Sequence, residues 1–495
     1  MPRLVGFVRF VAAVAGLWVL SGAADAAPPA EPYLSPSALA STRDGKTLFV
    51  ACATADRVLS YDLEARKITA SIPVKGSPSG LAVSADGKQL FVTCAVPEGK
   101  VCVIDLAKGG IVSVLPVGHT PMAPVLSPDG AKLFVCNRFN NDLSVLDLKT
   151  GAQRRIPAER EPVAAAVTPD GRFLLVANHL HTGAAVNPWV SAVVSVLDVR
   201  ENKLIKGLLL PDGSGALNDI RVSPDGKYAV VTHVLARFRL PATQLDRGWM
   251  NSNAMTLIDL AAMEGINTVL LDDVDRGAAN PWGVDWSADG RTLIVALAGT
   301  HELSLIDFPG LLAKLARLPA TLDDSKPVDS TSASRVRADV PSDLAFLVGL
   351  RRRAALPPDD FGPRPVRAVN GKVYAGNFFS DSLTVLDLAD QGARPTSLPL
   401  GPKPAMSPAR QGEFFFNDAG ICFQGWQSCA TCHPGGGRVD GLNWDLLNDG
   451  IGNPKNTRSL LLAHKTPPAM PKLRRSARAV EYSFSAPRLP SGSRL

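Results

Sequence analysis

Two cysteines and a histidine near the C-terminal end of this 495-residue chain are spaced as Cys429-x-x-Cys432-His433. Two thiols at this spacing can form thioether bonds to the two vinyl groups of one haem, and the adjacent imidazole can ligate its iron. A C-x-x-C pair can also be a zinc half-site, a thioredoxin-like redox pair or a structural disulfide. The sequence contains no second C-x-x-C pair to complete a four-ligand zinc site. We therefore expect one covalently attached haem c, tethered by Cys429 and Cys432 and ligated by His433.

The sixth ligand of that iron has two candidates in the sequence. Met470 follows His433 at a distance that allows the chain to loop over the distal face, and its thioether would raise the reduction potential and suit electron transfer. His464 is the alternative distal ligand and would give a lower potential. The third alternative is an iron whose sixth position is open to peroxide or other small ligands.

The first 26 residues have the pattern of a secretory signal peptide. Arg3 and Arg9 precede the apolar run from Phe10 to Leu20, and residues 24–26 (Ala-Asp-Ala) form a small-x-small cleavage site. We expect the mature protein to be periplasmic, secreted or at the cell surface, where bacteria attach haem covalently. An uncleaved anchor is the alternative, and no later stretch is apolar enough for long enough to cross a membrane.

Charge and the remaining cysteines add further limits. The net charge of +6 is modest for this length, so we expect no nucleic-acid partner. Cys94 and Cys102 flank a short turn and could face each other across a hairpin, which would permit a disulfide in an oxidising compartment. Buried free thiols on strands are the alternative for this pair.

Most of the chain between Tyr33 and Leu388 repeats one pattern at a period of about 40–50 residues. An Asp-Gly turn between two alternating apolar runs predicts a β-hairpin in each unit, followed by a third strand and a more variable fourth. The turns begin at Asp44, Asp86, Asp129, Asp170, Asp225 and Asp289, with Asn370-Gly371 as a weaker seventh copy. Seven such units predict an all-β, seven-bladed β-propeller over residues 33–400, with an open solenoid as the alternative.

The repeated Ser-Pro-Asp-Gly-Lys, Leu-Phe-Val and Val-x-Val-x-Asp pattern resembles the YVTN-type propeller family over roughly three quarters of the chain. The resemblance implies an extracytoplasmic propeller. Because that family includes binding modules, surface proteins and some enzymes, the resemblance leaves the chemistry open.

Three insertions interrupt the repeats, at residues 179–190, 235–253 and 308–363. The first two fall between second and third strands, whose loops all emerge on one face of a propeller. In the third, residues 311–318 and 343–355 have helical patterns. If this segment also folds over the same face, it would form a cradle for the haem segment.

Polar residues at equivalent blade positions suggest a second candidate site. The second strands end in Cys52, Cys94, Asn137, Asn178, His233 and Asn377. These side chains could ring the channel mouth and bind a small molecule or metal; the alternative is that they satisfy polar groups where strands end. His179, His181 and His301 lie close by in the inserted loops, where each is expected on the surface or in packing.

Residues 401–470 are expected to form a small, mainly α, c-type cytochrome domain. This segment resembles the haem-binding part of the di-haem cytochrome c peroxidase family in three elements: Gly412 to Phe416, Ser428 to His433 and Asn456 to Leu460. The resemblance implies one haem for electron uptake and another where peroxide reacts. This chain departs from that pattern, because it has a single C-x-x-C-H motif. Residues 471–495 are predicted to be a disordered tail, or out-of-frame sequence that replaces a longer native C-terminus.

Together these features predict an extracytoplasmic c-type haem protein that transfers electrons, with the propeller as a docking scaffold for a redox partner protein. The first alternative is a peroxidase-like haem oxidoreductase, and the second is a cell-surface binding propeller in which the haem segment is secondary.

Overall fold

The structure is a computed structural model, and it describes residues 33–241, 249–321, 333–445 and 454–463. The expected signal peptide (1–26), the tail (471–495) and both candidate distal ligands, His464 and Met470, lie outside the described residues.

Seven four-stranded antiparallel sheets form the propeller, each from four consecutive strands. Blades one and two contain β1 (Pro36–Ser41), β2 (Thr47–Cys52), β3 (Arg57–Asp62), β4 (Lys67–Pro73), β5 (Pro78–Val83), β6 (Gln89–Cys94), β7 (Lys100–Asp105) and β8 (Gly110–Pro116). Blades three and four contain β9 (Pro121–Leu126), β10 (Lys132–Asn137), β11 (Asp142–Asp147), β12 (Gln153–Pro157), β13 (Pro162–Val167), β14 (Phe173–Asn178), β15 (Val193–Asp198) and β16 (Lys203–Leu209). Blades five to seven contain β17 (Ser214–Val222), β18 (Tyr228–Ala236), β19 (Asn251–Asp259), β20 (Glu264–Leu270), β21 (Pro281–Trp286), β22 (Thr292–Leu297), β23 (Glu302–Asp307), β24 (Arg351–Ala355), β25 (Pro363–Val369), β26 (Lys372–Asn377), β27 (Ser382–Asp387) and β28 (Thr396–Pro399).

The first strand of each blade is innermost, and the ring closes where β25 packs against β1. Among the described strands, none is shared between the first and last blades, and side chains link the two blades. Leu48 and Tyr374 belong to one apolar cluster across it, and Asp381 Oδ1 accepts a hydrogen bond of 2.8 Å from the backbone nitrogen of Ser35. This closed ring confirms the predicted seven-bladed propeller and excludes the open solenoid.

The Asp-Gly turns explain why the hairpins form locally. In blade three, Gly130 has a φ of 67°, a left-handed conformation that costs glycine little. Asp129 Oδ1 accepts hydrogen bonds from the Ser127 hydroxyl at 2.5 Å and from the Ala131 nitrogen at 3.0 Å. The turn therefore satisfies its polar groups with its own residues, independently of the rest of the blade.

The up-and-down order of strands places the loops between second and third strands, together with the connections between blades, on one face, which we call the loop face. The insertion at 179–190 lies there, between β14 and β15. The insertion at 235–253 is partly strand, because β18 extends to Ala236 and β19 begins at Asn251.

The third insertion starts on the opposite face, because it follows the third strand of blade six. Helix α1 (Phe308–Arg317) confirms the first predicted helix, and Phe308 packs edge-on against Trp286 with ring centroids 4.4 Å apart. A 3₁₀ helix at Arg337–Ser342 then packs along the outer strand of blade five. These two helical segments therefore run along the side of the propeller and do not form the expected cradle. The last residues of the insertion return to the loop face, where the Gly362 nitrogen donates to His301 Nδ1 at 3.1 Å.

The helix predicted over residues 343–355 was wrong. Residues 351–355 form β24, the fourth strand of blade six, and pair with β23. A strand places Arg351 and Arg353 on the same side, where Arg353 Nη1 lies 2.9 Å from Asp273 Oδ2 and Arg351 also pairs with Asp273. Completion of the blade and these ion pairs outweigh the local helical pattern.

The described residues after the propeller form a cap on the loop face. The cap, residues 401–445 and 454–463, contains α2 (Pro408–Asn417), a 3₁₀ turn (Phe423–Gly425), α3 (Cys429–Cys432), α4 (Pro434–Gly437) and the two-residue strands β29 (Asn443–Trp444) and β30 (Lys455–Asn456). Within these residues the structure does not show a separate helical cytochrome domain. Among the described helices, none has the length and apolar character needed to cross a membrane.

Candidate functional site

Arg410 of helix α2 anchors the start of the cap where the ring closes. Its Nη2 donates hydrogen bonds to Ser35 Oγ at 2.9 Å and to the Phe378 carbonyl at 2.5 Å. Its guanidinium also lies 4.8 Å from the Phe378 ring centroid and 4.7 Å from that of Phe379. Helix α2 is therefore tied to both the first and the last blade.

His301, at the tip of blade six, makes the second anchor. The backbone nitrogen of Gly362 donates to its Nδ1 at 3.1 Å, so Nδ1 carries a lone pair. Its Nε2 then donates to Asp418 Oδ1 at 3.2 Å, and the ring stacks on Phe414 of α2 with centroids 5.9 Å apart. His301 is a packing residue, as expected, and the surface that it packs against belongs to the cap.

Buried asparagines of the propeller hold helix α3 itself. Asn280 donates from Nδ2 to Ser428 Oγ at 2.8 Å, and its Oδ1 accepts from Thr431 Oγ1 at 2.8 Å. Asn251 donates from Nδ2 to Cys432 Sγ at 3.3 Å. The propeller thus sets the position of the C-x-x-C-H helix through side chains from blades five and six.

The three motif residues lie on one helical turn. Cys429 and Cys432 are free thiols at the two ends of α3, and the His433 nitrogen donates to the Cys429 carbonyl at 3.0 Å. His433 Nδ1 lies 3.2 Å from the Arg438 carbonyl, which can only accept, so Nδ1 carries the proton and Nε2 the lone pair. Burial raises the pKa of the Cys432 thiol to about 12, so it stays protonated at neutral pH. Two available thiols and an oriented imidazole nitrogen fit the attachment of a haem.

Exposed apolar side chains flank the motif. Phe423 is 65% exposed and Ile421 is 57% exposed, and both adjoin Cys422, whose thiol pKa is raised by burial and by the neighbouring Cys429. On the other side, the Leu460 nitrogen donates to the Gly437 carbonyl at 2.7 Å, and residues 460–462 are exposed leucines. Apolar surface concentrated around a motif indicates a binding surface, and a porphyrin is an apolar group of suitable shape.

Within residues 33–241, 249–321, 333–445 and 454–463, no three His, Cys, Asp or Glu side chains are grouped so as to hold a metal ion.

The predicted ring of polar residues at the channel mouth was wrong. Asn137, Asn178 and Asn377 are buried inside their blades, where their Nδ2 atoms each donate at 2.9 Å to the hydroxyl of Ser144, Ser195 or Thr384 on the third strand. The central channel, a cavity of about 130 Å³, is lined instead by the innermost strands. These residues satisfy polar groups within the blades because second strands do not border the axis.

Cys94 and Cys102 are free, buried thiols on β6 and β7, with their sulfur atoms 3.7 Å apart. The structure therefore agrees with the alternative of buried thiols on strands.

A buried charge cluster that the sequence did not reveal joins the cap to blades three and four. Glu161 is 4% exposed; its Oε2 accepts from Arg138 Nε at 3.0 Å and also from Arg438 of the cap. Glu161 stands before the first strand of its blade, as Ser35, Ser77, Thr120 and Asn280 do in theirs, and all five have positive φ. An alignment of these positions would have shown one carboxylate among small polar residues.

We expect Glu161→Gln to lower the free energy of unfolding of the haem-free protein by about 1–3 kcal/mol, because one amide oxygen replaces a carboxylate charge that pairs with the neighbouring guanidinium groups. Burial alone would raise the pKa of the Glu161 carboxyl, but attraction to Arg138 and its other neighbours outweighs it, so the pKa lies below the usual value. This stabilisation is therefore complete above the unfolded-state pKa and is lost as pH falls through the folded-state pKa. Urea titrations at several pH values measure it.

Glu264→Gln is the matched control, since Glu264 is exposed and its partner Lys206 lies 3.7 Å away in solvent. We expect it to change stability by less than about 1 kcal/mol. Equal effects for the two variants would contradict the importance of the buried cluster.

No family model matches the chain. Hydrazine synthase subunit beta of Kuenenia stuttgartiensis is 26% identical over 207 residues, which cover 40% of this chain and 48% of that protein. Hydrazine synthase subunit gamma of the same organism is 46% identical over 59 residues, or 12% of this chain and 17% of that protein. The chain therefore spans less than half the length of each of these relatives.

A solved structure, Kuenenia stuttgartiensis Hydrazine Synthase, matches 73% of this chain and 98% of its own with a TM-score of 0.64 and 23% identity. At this identity the match supports the propeller fold alone.

Proposed function

We propose that this chain is an extracytoplasmic c-type haem protein that transfers electrons as a subunit of an oxidoreductase complex of the hydrazine synthase kind. The observation that carries the proposal is the pairing of His433 Nδ1 with the Arg438 carbonyl at 3.2 Å, beside two free thiols on the same turn. This contact leaves the Nε2 lone pair available, as a haem-ligating imidazole requires. The two relatives carry the names of complex subunits, which supports a protein partner for the propeller.

Each part of the chain has a distinct role in this proposal. A haem bound here would supply one-electron chemistry at its iron. Cys429 and Cys432 would tether it, His433 would ligate it, and Asn251 and Asn280 would keep the motif helix against the propeller. The apolar residues around the motif would exclude water from the porphyrin. His464 and Met470 remain the candidate distal ligands.

The test is to express the full chain with its leader in a bacterium that has the c-type maturation machinery, and to record optical spectra of the oxidised and reduced protein. We expect haem bands that persist after extraction with acidified organic solvent, because the attachment is covalent. A colourless product would overturn the proposal and favour a binding propeller.

Addition of carbon monoxide to the reduced protein then separates electron transfer from peroxidase-like chemistry. A six-coordinate iron with a protein ligand on both faces resists carbon monoxide, whereas an open iron binds it. We expect an unchanged spectrum, and rapid carbon monoxide binding would favour the peroxidase-like alternative.

A further inference from the structure

The charge cluster around Glu161 carries an excess of positive charge beside the haem motif. Arg138 and Arg438 bond to Glu161, and Arg160 Nε lies 3.9 Å from its other carboxylate oxygen. His179, which is buried nearby, adds no charge, because burial and then Arg138 lower its pKa to about 3. Three guanidinium groups therefore share one carboxylate.

Two donors of this cluster are buried without a hydrogen-bond partner among the described residues. They are Nη2 of Arg138 and Nε of Arg438. A buried guanidinium N–H without an acceptor is costly, so such donors are rarely left unsatisfied in a protein. In each side chain another nitrogen atom, Nε of Arg138 or Nη2 of Arg438, donates to Glu161, which orients the guanidinium group.

The two unpartnered donors converge on the bare side of Gly435. A Cβ atom built at Gly435 would lie 2.8 Å from Arg138 Nη2 and 3.0 Å from Arg438 Nε. Gly435 has a φ of 64° and stands two residues after His433. Gly435 therefore lies directly against both donors, next to the proposed iron ligand, and a side chain at this position would collide with them.

Both guanidinium groups lie over the aromatic ring of Phe139. Their central carbons lie 5.2 Å (Arg138) and 4.6 Å (Arg438) from its centroid. The backbone carbonyl of Arg438 also accepts a hydrogen bond from His433 Nδ1. One cap residue thus orients the imidazole and presents a charged donor beside it.

We propose that Arg138 and Arg438 bind a propionate carboxylate of the haem, so that the propeller itself forms part of the haem site. This inference rests on the proposed function. A carboxylate has the planar, two-oxygen shape that guanidinium groups bind best, and it supplies the negative charge that the cluster lacks. The propeller then contributes a direct contact through Arg138, in addition to its contacts with the cap.

The test compares the haem-loaded variants Arg138→Gln and Arg438→Gln with the wild type by redox titration at several pH values and by resonance Raman spectroscopy of the propionate modes. Loss of a cation beside a propionate favours ferric iron, so we expect a lower midpoint potential in both variants. We also expect a stronger pH dependence near neutrality, because the propionate pKa rises without its partner. Arg438→Gln keeps the backbone carbonyl that orients His433.

Arg155→Gln is the matched control, because Arg155 is a half-exposed arginine of blade three paired with Asp142. We expect it to leave both readouts unchanged. Arg138→Lys and Arg438→Lys keep the charge without the planar fork, and we expect intermediate shifts. They also replace the Gln variants if those do not fold, as judged by circular dichroism.

Lower potentials and shifted propionate modes in the arginine variants, but not in Arg155→Gln, support the inference. Unchanged values in both variants overturn it while the haem assignment stands. If the haem-loaded wild type binds inorganic phosphate at this cluster, as seen by loss of binding in Arg138→Gln, the cluster is a site for free anions and the inference is wrong. A wild-type protein without haem would instead be a failure of the proposed function.

Discussion

Replacing Cys429 and Cys432 together with alanine is expected to abolish covalent haem attachment. A thioether needs a sulfur atom, and neither position has another thiol that could reach a vinyl group on the same helical turn. Extraction with acidified organic solvent should remove all haem from this variant and none from the wild type. Haem that stays attached would show that the tether lies elsewhere.

The fold should survive this change, because Cys429 is exposed and, among the described residues, Cys432 receives one hydrogen bond, from Asn251. Circular dichroism of the two proteins should therefore agree. Cys422→Ala is the matched control: Cys422 is close to Cys429 but stands outside the motif. We expect it to retain its full complement of haem, and loss of haem there would point to a general disturbance of the cap.

Replacing Trp426 with alanine is expected to lower the free energy of unfolding by about 3–5 kcal/mol, the usual cost of truncating a large buried aromatic side chain. Trp426 is 1% exposed, and its carbonyl accepts a hydrogen bond from Asn253 Nδ2 at 3.0 Å. A Cβ atom on Gly277 would lie 2.3 Å from the Trp426 Cα, so the cap and the propeller are in close backbone contact here. The cavity left by removal of the indole ring would therefore form at the junction between the cap and the propeller.

Urea unfolding gives the stability change, and limited proteolysis shows whether the cap is released first. Trp189→Ala is the control, because Trp189 is 54% exposed and loses mainly the hydrogen bond from its Nε1 to the Leu210 carbonyl. We expect Trp189→Ala to lower the free energy of unfolding by about 1 kcal/mol. Similar costs for both tryptophans would mean that the cap adds little to the stability of the propeller.

The blades could be predicted because their information is local. In each repeat an Asp-Gly turn and the alternating runs beside it specify one hairpin, and Asp129 with Gly130 satisfies its turn without help from other blades. The error at residues 343–355 shows the limit of such patterns. Arginine, leucine and alanine favour helices in isolation, but blade six lacked a fourth strand and Asp273 provided partners for Arg351 and Arg353.

The error at the channel mouth has a different cause. Alignment of the turns correctly placed Asn137, Asn178 and Asn377 at one blade position, but it could not tell which strand of a blade borders the axis. That depends on how the blades pack against one another. Repeat spacing alone contains no such information.

By itself, the sequence determined the number of blades, because turn residues act over a few residues. Haem attachment at Cys429, Cys432 and His433 is a prediction that also comes from the sequence alone, because it depends on local motif spacing. Only the tertiary structure decided that the cap lies on the loop face and that Arg138, Glu161 and Arg438 meet. These three residues belong to different blades and to the cap, and they carry no shared local pattern. Their contact depends on closure of the ring and on the buried hydrogen bonds that hold the cap against it.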